Sequence, residues 1–260
     1  MLQHPGYTRN RIRQLVDRLQ GRIYRDTVEV EDLQIAGPVD RIPYEEAQQL
    51  NYEPVQLGQQ LGPAWATFWV RGSVRVPADW AGQRVDLLWK SHSEATLWLD
   101  GRTVGGLNSG RNEVVLVKEA AGGETATFQV EVACNELFGQ QGQHYDSIEP
   151  YVLDRVGIGR FDPVAWELYY DMLVLSELER EQDLSGDWKG RLLAELNRAA
   201  NILDEEDAST WSDALAILKD LYKVGNGGYV HALSAIGHAH IDTAWLWPIG
   251  ETWRKCMRTF

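Results

Sequence analysis

The hydrophobic period of this 260-residue chain changes twice, and those changes limit the architectures open to it. Near the start, Ile12, Leu15, Val16 and Leu19 recur at i, i+3, i+4 and i+7, one face of a helix, and Gly21 follows as a stop. From Arg22 to about Gly62 no period is sustained. Pro38, Pro43, Pro54 and Pro63 punctuate that segment, which is expected to be mostly extended and wrapping. Period two then takes over. Phe68, Val70, Val74 and Val76 alternate with Thr67, Arg71, Ser73 and Arg75, and Val85, Leu87 and Trp89 alternate in the next run. Ala95, Leu97 and Leu99 lead into Asp100-Gly101, a hairpin signal because a type I′ turn needs positive φ at both central positions. Val114 to Val117 and Phe128, Val130 and Val132 extend the pattern. Short strands joined by glycine-rich turns predict an antiparallel β-sandwich of jelly-roll or galactose-binding-like type.

The third stretch returns to helical spacing. Asp162-Pro163 supplies a cap and a proline at the first helical position, where its missing N–H costs nothing. Leu168, Met172, Leu175 and Leu178 follow, then Leu192, Leu196, Ala199 and Leu203. A last helix is expected near Thr210, with Asp213 completing a capping-box variant and Leu215, Leu218 and Tyr222 on its apolar face. Gly225-Asn226-Gly227-Gly228 ends the pattern. The expected organisation is a helix and wrapping segment over 1–60, a sandwich over 61–161, a helical connector over 162–228, and a separate segment over 229–260. The fold class is therefore mixed.

Composition narrows the function. With 25 Lys and Arg against 38 Asp and Glu, the formal net charge is −13. That balance argues against a nucleic-acid partner and against an anionic membrane surface, both of which call for clustered cations. No apolar run approaches the ~20 residues of a membrane-spanning helix, and the opening Arg9, Arg11 and Arg13 have no apolar stretch behind them as a secretory signal would. Cys134 and Cys256 lie far apart, so a reducing cytoplasm is the simpler reading. Eleven Trp against five Phe invites a carbohydrate ligand, since an indole presents a flat apolar face with one donor; core filling explains the same residues.

Tyr229 to Gly237 is short, largely apolar and bounded by glycine, as a buried parallel strand would be. His238, His240 and Asp242 follow at its carboxyl end, where ligands of α/β folds collect. Alternation along an extended chain lets all three side chains face one way, and nitrogen and oxygen donors together suit zinc. A hydrogen-bonded core histidine remains an alternative for either imidazole. A zinc site needs ~4 ligands, more than this segment provides.

The run Gly237-His238-Ala239-His240-Ile241-Asp242-Thr243-Ala244-Trp245-Leu246-Trp247-Pro248, with Glu251-Thr252, Lys255 and Arg258-Thr259-Phe260 after it, resembles the opening motif of glycoside hydrolase family 38, the retaining α-mannosidases, and their cytosolic-type branch in particular. The order of helix, sandwich and helices ahead of it is similar to that branch. The resemblance implies that 229–260 begins a truncated α/β-barrel catalytic domain with its first strand and helix. It implies His240 and Asp242 as metal ligands and Trp245 stacked on a mannose ring; His238 is not a standard ligand there and is read as orienting a ligand from behind or closing the strand end. It also implies Zn2+, with Co2+ as a possible substitute, mannose-containing oligosaccharides as substrates, and a homo-oligomer when the enzyme is full length. The nucleophile, the acid/base carboxylate and the remaining ligands match no position here, so this chain alone is expected to be inactive. Core packing of the following helix is the expected role of Trp247, Trp253 and Phe260. Two alternatives stand beside this. The sandwich could bind sugar itself through Trp65, Trp69, Trp80, Trp89 or Trp98, or the His-x-His pair could belong to an amidohydrolase-like metal hydrolase.

Overall fold

The computed structural model describes residues 4–135, 151–181, 185–223, 234–237, 241–245 and 247–259. Helix α1 (Pro5–Gln20) leads into strands β1 (Thr27–Glu29) and β2 (Asp32–Val39), a single helical turn α2 (Tyr44–Ala47) and strand β3 (Glu53–Pro54). Strands β4 (Thr67–Arg75), β5 (Val85–Lys90), β6 (Glu94–Leu99), β7 (Arg102–Leu107), β8 (Glu113–Val117), β9 (Thr125–Ala133) and β10 (Arg155–Arg160) follow. Helices α3 (Pro163–Arg180), α4 (Gly186–Ile202), α5 (Trp211–Leu221) and α6 (Ile249–Thr259) complete the chain. Two compact units result, one of Met1–Arg25 with Phe161–Ala235 and one of Asp26–Arg160 with Ile236–Phe260.

The second unit is the sandwich. Its two antiparallel sheets run β1-β10-β5-β8 and β3-β2-β4-β9-β6-β7. The alternating apolar residues point between them: Val70, Leu87, Leu97, Val130, Val132 and Ile158 are buried in one core. The predicted hairpin is present, with φ of 49° at Asp100 and 76° at Gly101 and Leu99 paired to Arg102. The segment from Arg22 to Gly62 is more ordered than its sequence suggested. Strand β2 pairs with β3 on one side and β4 on the other, and β1 pairs with β10, so the sandwich takes in residues from about 27 onward. Leu33 and Ile35 give a single alternation before Gly37-Pro38, too little for a period; cross-strand pairing makes this a strand.

In the first unit, α1, α3, α4 and α5 pack around Leu19, Leu168, Met172, Leu196, Trp211 and Leu218. Asp162 caps α3 as expected, accepting from the N–H groups of Val164 and Ala165 at 3.0 Å. Arg9 forks onto the buried Glu179 carboxylate at 2.7–3.2 Å, tying α1 to α3. The Thr210–Asp213 capping box is absent: the Thr210 hydroxyl donates to the carbonyl of Asp207 and accepts from Asp204 N–H instead. Trp211, Ala214, Leu218 and Leu221 form the buried face of α5, leaving Tyr222 exposed. The leading helix and the extended segment, read together over 1–60, therefore fall in different units, because α1 buries its leucines among helices while β2 completes a sheet.

The expected strand over 229–237 lies mostly outside the described residues. Ser234 to Gly237 are described and are neither strand nor helix. A parallel strand exists by pairing, and among the described residues no strand pairs with this segment.

Candidate active site

The outer face of the six-stranded sheet carries the site's foundations. Cross-strand pairing sets its residues in rows: Ala36, Trp69, Glu131 and Thr96 in one, then Gln34, Arg71, Gln129 and Trp98. The second row borders an open groove of about 320 Å³, floored by Gln34, Arg71 and Gln129 and walled by Tyr44 and Trp98. Tyr44 stacks on Trp98 at 5.3 Å. The first row is covered, and part of its cover is α6.

Helix α6 buries the face that water should claim. Glu251, Thr252, Lys255 and Arg258 point inward, whereas Trp253 is 70% exposed. The expected core role of Trp253 is thus corrected: at 100° per residue it lies opposite the 251–255–258 face, and that face is set by ions rather than by apolar area. Trp247 is buried as expected, with the Lys255 ammonium 4.6 Å from its ring centre; Phe260 lies outside the described residues.

The inward ions meet acids presented by the sandwich. Lys255 Nζ donates to both oxygens of Glu94 at 2.8 and 2.9 Å, and Arg258 donates to Glu94 at 2.8 Å and to Glu251 at 2.6 Å. Glu251 also accepts from Asn135 at 2.9 Å and from Arg41 at 2.5 Å. Burial pushes its carboxyl upward, but Arg258 and Arg41 outweigh that and leave it below the ordinary carboxylate range. Burial likewise disfavours the Arg258 cation, and Glu251 and Glu94 more than restore it. Glu131 is different. Its carboxyl is 1% exposed and burial raises its pKa despite Arg254 and Arg258 nearby. Arg254 Nε comes to 2.8 Å of it but off the N–H axis, so neither carboxylate oxygen has a hydrogen-bond partner among the described residues. Gly106 on β7 lets the helix come this close: a Cβ there would stand 2.1 Å from the Arg258 carbonyl oxygen.

These contacts lead to the motif. The Thr252 hydroxyl accepts from Trp247 Nε1 at 3.1 Å and donates to the carbonyl of Thr243, with the carbonyl of Asp242 3.4 Å away. Asp242 is exposed, and Trp245 is 52% exposed, meeting Trp247 edge-on at 5.3 Å. His238 and His240 lie outside the described residues, and among the described residues no three metal-binding side chains converge. An exposed carboxylate is a usable oxygen donor for a borderline metal such as zinc or cobalt, so Asp242 fits that role in chemistry and access. Of the sandwich tryptophans, Trp69, Trp80 and Trp89 are buried, Trp65 is half-buried, and Trp98, itself largely buried, is the one that borders the groove.

The class of this protein now follows. Residues 230–260, which follow the sandwich and the helices, match the family described as glycosyl hydrolases family 38 N-terminal domain. Residues 27–159, just over half of the chain, match the family described as alpha-mannosidase, jelly roll domain, and the chain belongs to that family. Alpha-mannosidase 2C1 of Mus musculus is 34% identical over 250 residues, covering 93% of this chain and 24% of the relative. Its Homo sapiens counterpart is 33% identical with the same coverage. Alpha-mannosidase G of Dictyostelium discoideum is 27% identical over 278 residues, covering all of this chain and 26% of the relative. The chain spans about a quarter of the length of these relatives. Among the described residues no helix is long and apolar enough to cross a membrane.

Proposed function

We propose that this chain is the N-terminal part of a zinc-dependent retaining α-mannosidase that hydrolyses terminal non-reducing α-D-mannose residues of oligosaccharides in the cytoplasm. The supporting observation is that the family 38 match runs through Asp242 and Trp245, both of which stand open on the surface. His240 and Asp242 are the ligands this chain would contribute, and Co2+ could replace the zinc. Held by His240 and Asp242 together with further ligands, the metal would supply Lewis-acid stabilisation of the charge that develops on the sugar in an oxocarbenium-like transition state. Trp245 would offer its indole face to the apolar side of the mannose ring, excluding water there. His238 would orient a ligand through a hydrogen bond. The displacement itself needs two carboxyl groups about 5–5.5 Å apart, one attacking the anomeric carbon and one moving the proton. No residue of this chain is assigned to either role.

The test is a pair of assays with an aryl α-mannoside. The full-length protein should cleave it with retention of anomeric configuration, and Asp242→Ala should release the bound metal and abolish turnover. The 260-residue chain alone should show none. Enzyme-like turnover by the isolated chain, or full metal retention by Asp242→Ala, would overturn the assignment.

A further inference from the structure

The segment 241–245 has no regular structure of its own, yet it carries the carboxylate assigned to the metal and the indole assigned to the sugar. Its backbone is held by Trp245 N–H, which donates to the carbonyl of Trp247 at 3.2 Å, and by the Thr252 hydroxyl, which is shared between the carbonyl of Thr243 and that of Asp242 at 3.4 Å. Thr252 is buried, its hydroxyl is oriented by the N–H of Trp247, and Trp247 is covered by the Lys255 ammonium. Lys255 in turn is bonded twice to Glu94 on β6. One continuous run of contacts therefore leads from β6, paired to β7 and β9, to the Asp242–Thr243 peptide. Glu251 and Arg258 extend the run along the same inward face of the helix, and the Gly106 contact excludes any residue with a Cβ from that place without a shift of backbone.

We propose that Thr252 is a positioning residue for Asp242, and that the ions joining Glu94, Lys255, Arg258 and Glu251 exist to hold it in register. This rests on the reading of Asp242 as a metal ligand. A carboxylate on an irregular segment binds a metal well only when its backbone is fixed, and partners behind metal ligands typically change affinity by about 10–100-fold. An apolar helix face could slide on the sheet by a fraction of a turn at little cost. A lysine and an arginine that share one buried carboxylate cannot, because any slip strands a charge away from water.

The experiment uses the full-length protein and follows metal affinity by chelator competition, with the visible spectrum of the Co2+ form as a second readout. Thr252→Val removes the hydroxyl and keeps the shape; it should weaken metal binding about 10-fold or more and change the Co2+ spectrum. Thr252→Ser restores the hydroxyl and should return both to near the parent values. Asp242→Asn sets the scale. If Asp242→Asn keeps the parent affinity, the metal assignment itself fails. If Asp242→Asn loses metal while Thr252→Val does not, or if Thr252→Ser is as weak as Thr252→Val, the positioning role is overturned. Should Thr252→Val fail to fold, Trp247→Phe carries the test. It removes the N–H that orients the hydroxyl and keeps a ring under Lys255, so an unchanged affinity and spectrum in that variant would also overturn the proposal.

Discussion

The helices of the first unit are held mainly by apolar side chains, with one ion fork from Arg9 to the buried Glu179, whereas helix α6 is held mainly by ions. Helices α1, α3 and α5 bury leucines, and their attraction is nearly indifferent to small shifts along the axis. Helix α6 buries Glu251, Lys255 and Arg258 against Glu94 and Glu131. Ions out of water add little net stability compared with apolar groups of the same volume, but they punish misplacement severely. The difference teaches where the molecule needs mass and where it needs register. A supporting bundle can be fastened mostly by area, whereas the helix proposed to set a metal ligand in place is fastened by charge.

The largest test of that contrast is Glu94→Ala. It leaves the Lys255 ammonium buried without its carboxylate and is expected to cost about 3–5 kcal/mol of docking, read as lost hydrogen-exchange protection in α6 amides while β4 and β9 stay protected. If the sheet amides open with the helix, the ions serve the whole sandwich and the contrast breaks. Next comes Leu168→Ala in the first unit, expected to cost about 2–5 kcal/mol in urea unfolding without altering α6 protection. Asp162→Ala should cost about 1 kcal/mol by removing the cap of α3, seen in the same titration.

The smallest effect is a signed response to pH, because two carboxyls of the α6 cluster oppose each other. Glu251 lies below its ordinary value, so its contribution is present above that value and fades as pH falls through its folded pKa. Glu131 lies above, so its contribution is complete below the ordinary value and fades as pH rises through its folded pKa. Together they should make α6 docking strongest near the ordinary carboxyl value of 4.5, measured by exchange protection against pH. A plain rise to neutral pH would mean that Glu131 is ionised at little cost.

How much of this was legible in the sequence depends on which way a residue faces. Inward apolar alternation at Val70, Leu97 and Val130, the Asp100-Gly101 hairpin and the Asp162 cap are local signals, and each is found where its spacing placed it. Strand β2 was hidden because its identity comes from neighbours far along the chain. The family 38 motif was legible as a string, and Glu251, Thr252, Lys255 and Arg258 were visible within it, but not their task. Charged residues on a helix or on the outer positions of strands normally face water, and nothing local distinguishes Glu94 and Glu131 from acids that do. The only hint was that β6 and β9 place an acid opposite α6's cations at matching polarity, a relation visible once the rows are assembled.

Helix α6 wears its ions inside and its indole outside, the reverse of what a freestanding helix tolerates in water. It is consequently not a part that can be lent. A chimera that kept the Asp242 loop but exchanged the jelly roll for a foreign one would need acids recreated at the places of Glu94 and Glu131 and a bare backbone at that of Gly106, or the loop would arrive without its footing. Sandwich and motif are in that sense a lock cast together with its key.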